Sequence, residues 1–210
     1  DWSSDVCSSD LETAAEREHQ RILAAYGGAY ENAKLQASLE QTVEKLVAAS
    51  ERPDLKYQLH LLNSPSVNAF ALPSGNLYVT RGLIALANDN SEVASVLAHE
   101  MSHVIARHAA IREDQARQAA LVNRVATDLL SDPNLGALAL AKSKIALASF
   151  SRAQEFEADG IGVGISARAG FDPYGAQRFL TSMGANAALK ARQANIDPRA
   201  PDLDRKSTRL

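Results

Sequence analysis

His99-Glu100-Met101-Ser102-His103 sets two imidazoles four residues apart. On an α-helix that spacing leaves the side chains about 40° apart round the axis and one turn along it, so both rings can reach one metal ion. The flanking residues support a helix. Asp89 is a capping residue with Glu92 three positions on, and Val93, Val96, Leu97, Met101, Val104 and Ile105 recur at helical spacing. Glu100 is too close in sequence to His99 to share its direction, and suits a base acting on water at a metal better than a ligand. Histidines on a helix are also commonly plain polar side chains, so a third ligand decides the reading.

Zinc in a hydrolase takes three protein ligands and keeps one position open. The pattern HExxHxxGxxH, which would supply a third histidine, asks for glycine and histidine where Ala106 and Ala109 stand. His108 misses that register by one and, on a continuing helix, projects about 180° from His99. It reads as a surface or interhelical residue. In Ser151-Arg152-Ala153-Gln154-Glu155-Phe156-Glu157-Ala158-Asp159, Glu155 and Asp159 share one helix face. Glu155 can complete the metal site, and Asp159 can accept the N–H of a ligating histidine and fix its tautomer. Glu157 faces elsewhere, toward solvent. Spacing alone fits an ordinary solvated acidic face as well.

HEMSH followed by SRAQEFEAD resembles the zinc metallopeptidase family that includes CAAX prenyl endopeptidases, HtpX-like heat-shock proteases and soluble cell-envelope proteases. Asn68-Ala69-Phe70-Ala71-Leu72-Pro73 and Tyr78-Val79-Thr80-Arg81-Gly82-Leu83 resemble the strand pair that precedes the active-site helix in that family. The likeness covers roughly residues 40–185. It implies a zincin-like α+β domain, mostly helical, with a small antiparallel sheet beside the HExxH helix. It further implies one Zn2+ per chain on His99, His103 and Glu155, and Glu100 as general base of an endopeptidase. The polypeptide substrate would lie in a cleft lined by the strand of Asn68, Ala69 and Phe70, since an exposed strand edge can hold an extended peptide by main-chain bonds; a purely core role for Phe70 fits equally well. The family leans toward the bacterial periplasm or cell envelope and protein quality control. A chaperone-like module keeping the zinc fold with little proteolysis is the alternative. Many members carry a His-Pro segment near the metal, farther along than this chain extends.

The two ends read differently from the rest. Asp1 to Leu11 and Asp204 to Leu210 resemble translated sequencing adapters in opposite orientations, leaving 12–203 as a single catalytic domain expected to be a fragment. On that reading Trp2 and Cys7, the lone tryptophan and cysteine, are not native, and neither a disulfide nor a thiolate zinc site is possible in the remainder. The end segments hold three Lys/Arg and four Asp/Glu, which leaves 19 against 21 and a net charge of −2. That balance gives no reason to expect nucleic acid or an anionic membrane as partner. No run approaches eighteen apolar residues, so 12–203 carries no transmembrane helix and any membrane association would come from segments outside it.

Between these points the chain reads in order. Residues 12–30 form a peripheral helix ended by Gly27-Gly28, with His19 solvated among charges. Asn32–Ser50 is amphipathic, with Leu35, Leu39, Val43, Leu46 and Val47 on one face. Tyr57, Leu59 and Leu61 alternate with polar residues in a half-buried strand that turns His60 to its polar face. Val67–Leu72, the turn Pro73–Asn76 and Leu77–Thr80 follow as a hairpin, then a short helix Arg81–Asn88. Residues 110–150 are helical with a break at Ser131-Asp132-Pro133-Asn134, and Leu135–Phe150 is a packed helix, a flap or a membrane-facing surface. Gly160, Gly162 and Gly164 allow close helix packing. A last helix spans Tyr174–Met183, with a polar linker past about 190.

Overall fold

Sixteen residues from Asn90 to Ile105 form the helix around which the molecule is built, and an unbroken run from Glu92 to Ser102 is buried. A helix covered on all sides must have neighbours on all sides. The computed structural model describes residues 15–130 and 152–194, so the expectations for the chain ends and for 135–150 lie outside the described residues. In order, the elements are α1 (15–25), α2 (Ala33–Ala49), β1 (Gln58–Leu62), β2 (Ala69–Ala71), β3 (Asn76–Thr80), α3 (Arg81–Leu86), α4 (Asn90–Ile105), α5 (His108–Leu130), α6 (152–168) and α7 (Gly175–Gln193). The fold is α+β and mostly helical, as expected.

The sheet has the order β1-β3-β2. β2 and β3 form the expected antiparallel hairpin, but β1 runs parallel to β3, which corrects the expectation of a wholly antiparallel sheet. Alternation identifies a strand and its faces, not its partner. Residues 63–68 are long enough to carry the chain past one strand width of about 4.8 Å, so β3 closes into the gap between β1 and β2. Gly75 makes the hairpin turn at φ +93°, and a Cβ there would lie 2.3 Å from the Lys56 carbonyl oxygen.

Pairing places Leu59 beside Leu77, Leu61 beside Val79, and Ala69 and Ala71 beyond them on one face. That face joins Leu39, Val43 and Leu46 of α2, Val93, Val96, Leu97 and Met101 of α4, Ile165 of α6 and Phe179 of α7 in the core. Leu97 and Met101 are fully buried, and truncating either to Ala would cost about 2–5 kcal/mol. The opposite face carries His60, Tyr78 and Phe70, with rings stacked in series. His19 and Tyr26 cover it. The expected solvation of His19 is therefore corrected: its Nδ1 lies 2.9 Å from the Tyr78 hydroxyl and its ring 4.4 Å from that of His60. A charged sequence context hides a helix whose other face packs on a sheet.

Two helix boundaries also differ. α7 continues ten residues beyond Met183, because the alanines that follow favour helix and no proline interrupts before Pro198. α4 ends at Ile105, and Arg107 takes φ 55° before α5 starts afresh at His108.

Candidate metal centre

Asp89 starts α4 as expected, its Oδ1 accepting from the backbone N–H of Ser91 at 2.8 Å and of Glu92 at 2.9 Å. The helix then carries His99, Glu100 and His103 to the place where α6 crosses it. The crossing is close because residue 162 is glycine: a Cβ there would stand 3.0 Å from the His99 nitrogen and 3.1 Å from its Cα. Of the three glycines expected to serve close packing, Gly162 is the one against α4; a Cβ on Gly160 would meet nothing within 4 Å among the described residues.

Glu155 of α6 meets both imidazoles. His99 Nε2 lies 3.1 Å from His103 Nε2 and 3.3 Å from Glu155 Oε2, and His103 Nε2 lies 3.7 Å from that same oxygen. Four ligands about 2.05 Å from a tetrahedral zinc stand about 3.3 Å from one another, so these separations suit a shared ion. Glu155 Oε2 is buried and has no hydrogen-bond partner among the described residues, the condition of an oxygen reserved for something else. Among the described residues, His99, His103 and Glu155 are the group of side chains able to hold a metal ion. The donor set therefore fits zinc.

Asp159, one turn along α6, accepts from His99 Nδ1 at 2.9 Å, in the arrangement read from the spacing. Burial alone would disfavour a charged His99, but the adjacent carboxylate of Glu155 and the charges of Glu100 and Asp159 outweigh it and raise its pKa. The field that favours an imidazolium favours any cation. For Glu155, burial pushes upward, yet His103 and His99 together hold the carboxyl well below the usual carboxylate range. Glu100 is 8% exposed, and burial pushes its pKa up to about 7 against the pull of both histidines.

Glu100 also receives a backbone hydrogen bond from Ala71. β2 is an edge strand. Asn68 and Leu72 bond to Thr80 and Asn76 of β3, so in antiparallel alternation Phe70 faces β3 too and Ala69 and Ala71 turn their main-chain groups outward. The side chains of Asn68 and Phe70 go elsewhere: Asn68 Nδ2 donates to Tyr26 Oη at 2.9 Å, and the Phe70 ring stacks on Tyr78. Sequence reasoning missed Ala71, which carries no functional group beyond its backbone.

It also missed the contact of His108 with His103. His108 is fully buried against the site, with Nδ1 2.9 Å from His103 Nδ1 and Nε2 3.2 Å from Glu157 Oε2. The break at Arg107 reverses the direction assumed for a continuing helix, so of the two placements expected, surface or interhelical, the structure shows the interhelical one. Glu157, expected to face solvent, is largely exposed but spends one oxygen on His108.

Comparison with known proteins agrees with this geometry. Residues 33–203 match peptidase family M48. The mitochondrial metalloendopeptidase OMA1 of Schizosaccharomyces pombe is 30% identical over 186 residues, 87% of this chain and 54% of that protein. The beta-barrel assembly-enhancing protease of Escherichia coli is 35% identical over 161 residues, 72% of this chain and 33% of its own length. OMA1 of Arabidopsis thaliana is 30% identical over 150 residues, 71% of this chain and 30% of that protein. The chain thus spans about half or less of these relatives.

Proposed function

Because the chain belongs to peptidase family M48, we propose that it is a zinc-dependent endopeptidase, with 12–203 as its catalytic domain. His99, His103 and Glu155 would hold the ion. The observation that carries this is the meeting within one small space of two Nε2 atoms and a Glu155 Oε2 that has no hydrogen-bond partner among the described residues. Zinc, when bound, supplies polarisation of the scissile carbonyl and a lowered pKa for water.

The chain's own residues supply the rest. Glu100 takes the proton of the attacking water on its carboxylate and returns it to the leaving nitrogen; its buried setting makes it a stronger base than a solvated glutamate. Asp159 holds His99 with its proton on Nδ1 and its lone pair on Nε2. The outward main-chain groups of Ala69 and the carbonyl of Ala71, whose N–H already serves Glu100, pair with an extended substrate, which makes β2 the floor of the cleft. Asn68 and Phe70 support that floor through Tyr26 and Tyr78 rather than by touching substrate.

Relatives named for β-barrel assembly come from bacteria and those named mitochondrial from eukaryotes. The bacterial relatives are what supports a role in protein quality control at the bacterial cell envelope. No helix among the described residues is long and apolar enough to cross a membrane.

The test pairs two variants. Glu100→Gln should keep one zinc per chain and lower casein hydrolysis by about 10²–10⁴-fold, whereas Glu155→Ala should lose zinc. Full hydrolysis by the first would reject Glu100 as base, and unchanged zinc content in the second would reject Glu155 as ligand. Casein binding without turnover in the zinc-loaded wild-type chain would favour a chaperone-like module.

A further inference from the structure

The chemistry above leaves one buried imidazole without a task. His108 opens α5, is 0% exposed, and has a polar partner at each ring nitrogen. Two ring nitrogens facing each other at 2.9 Å can share only one proton. If His103 presents the lone pair of Nε2 to a metal, its neutral ring carries the proton on Nδ1, so His103 donates and His108 Nδ1 accepts. A neutral His108 then carries its own proton on Nε2, where Glu157 Oε2 lies 3.2 Å away. Each protonation follows from the one before.

We infer that His108, backed by Glu157, is a positioning residue for the second zinc ligand. It fixes the tautomer and rotation of His103 through a His103–His108–Glu157 line, as Asp159 does directly for His99. The inference rests on the zinc reading of the preceding subsection and goes beyond it in assigning partners to the ligand that lacks a carboxylate of its own. Any buried imidazole needs a partner at each nitrogen; what a space-filling role would not require is that one of those partners is the ring of a ligand. The placement of His108 is firm, since Gln154 Nε2 donates to its backbone carbonyl at 3.4 Å, tying α5 to α6.

Substitutions that change the hydrogen-bond inventory without changing bulk separate the two roles. Zinc affinity of folded protein is read by competition with a chelator, with circular dichroism as the check on folding. His108→Phe, which keeps the ring and deletes the acceptor, should weaken zinc binding by about 10–100-fold. His108→Asn, whose Oδ1 reaches the position of Nδ1, should recover most of that loss. Glu157→Gln keeps an acceptor and should bind zinc like wild type. Glu157→Lys, at an exposed position that leaves folding intact, sets a donor against His108 Nε2 and should weaken zinc as His108→Phe does.

In the ¹⁵N-labelled, zinc-loaded chain, the imidazole correlations should show His103 protonated on Nδ1 and His108 on Nε2. The opposite tautomer of His108, or equal zinc affinity in wild type, His108→Phe and Glu157→Lys, would overturn the positioning role while leaving the zinc site in place. Equal losses in His108→Phe and His108→Asn would likewise reduce His108 to packing. A wild-type chain that takes up no zinc would overturn both readings at once.

Discussion

The two ends of α4 carry two polar clusters built on opposite plans. At its N-terminus, Arg178 of α7 bonds Asp172 and reaches Asp89 at 2.9 Å and Glu92 at 3.6 Å, while Asn88 donates its backbone N–H to Glu92 at 2.9 Å. Every group of that cluster finds a partner inside it. Near its C-terminus, His99, Glu100, His103 and Glu155 sit together; burial and charge shift the pKa values of His99, Glu100 and Glu155, and one buried oxygen has no hydrogen-bond partner among the described residues. A cluster that closes on itself fastens helices together. One that leaves a buried acceptor open is shaped for something it has yet to receive, and strain of that kind belongs at a working site.

The largest contrast should come from the metal itself. Zinc at a thousandfold excess over its dissociation constant stabilises the folded chain by about 4 kcal/mol through mass action, and a chelator should remove that increment. In calorimetry the increment should vanish in His99→Ala and persist in Arg178→Ala, whose melting temperature falls equally with and without zinc. If Arg178→Ala abolished the zinc increment, the two clusters would be one coupled unit.

Next in size is the partner of His99. Asp159→Ala should weaken zinc by about 10–100-fold, and Asp159→Asn by less, because an amide oxygen can still accept from Nδ1. Chelator competition measures both. Asp159 is 59% exposed, so its loss should leave thermal stability of the metal-free chain nearly unchanged. A large drop there would mean that it serves folding first.

Gly162→Ala acts on the crossing rather than on a ligand. The added methyl presses on the backbone of His99, at an overpacking cost of about 1–3 kcal/mol partly offset by the helix preference of alanine. Since Glu155 rides on α6 and His99 on α4, the expected signature is a severalfold loss of zinc affinity out of proportion to any change in melting temperature. Equal affinity would show that the crossing relaxes elsewhere.

How much of this was legible differs along the same helix. The Asp89 cap, the 99/103 pair and the 155/159 pair are local regularities of three or four residues, and helical geometry turns such spacing directly into direction. Bringing α6 onto α4 required the resemblance of the motif order, because no local rule joins residues so far apart in the chain. Arg178 could not be foreseen as the partner of Asp89, 89 residues away. The direction of His108, though not its interhelical alternative, was misread for a different reason: Arg107 adopts a left-handed conformation without the glycine that usually announces one, so the sequence looked like continuing helix. The parallel β1 was hidden because alternation is blind to strand partners. In each case the missing information is tertiary.

The smallest effect expected tests whether the N-terminal cluster is as inert as it looks. The bond from the Glu92 N–H chiefly holds the Asp89 carboxyl below its ordinary value, and Arg178 adds to this despite some desolvation. A carboxyl depressed on folding contributes stability that is complete above the unfolded pKa of about 3.9 and is lost as pH falls through the lower folded value. Asp89→Asn keeps a good N-cap but cannot titrate. Its melting temperature at pH 7 should lie slightly below wild type, and the two curves should converge as the pH drops below about 4. Zinc affinity, measured at neutral pH, should not change. A pH-independent gap between the curves would mean that the acid acts through shape alone, and a changed zinc affinity would mean that the charge at one end of α4 is felt at the other.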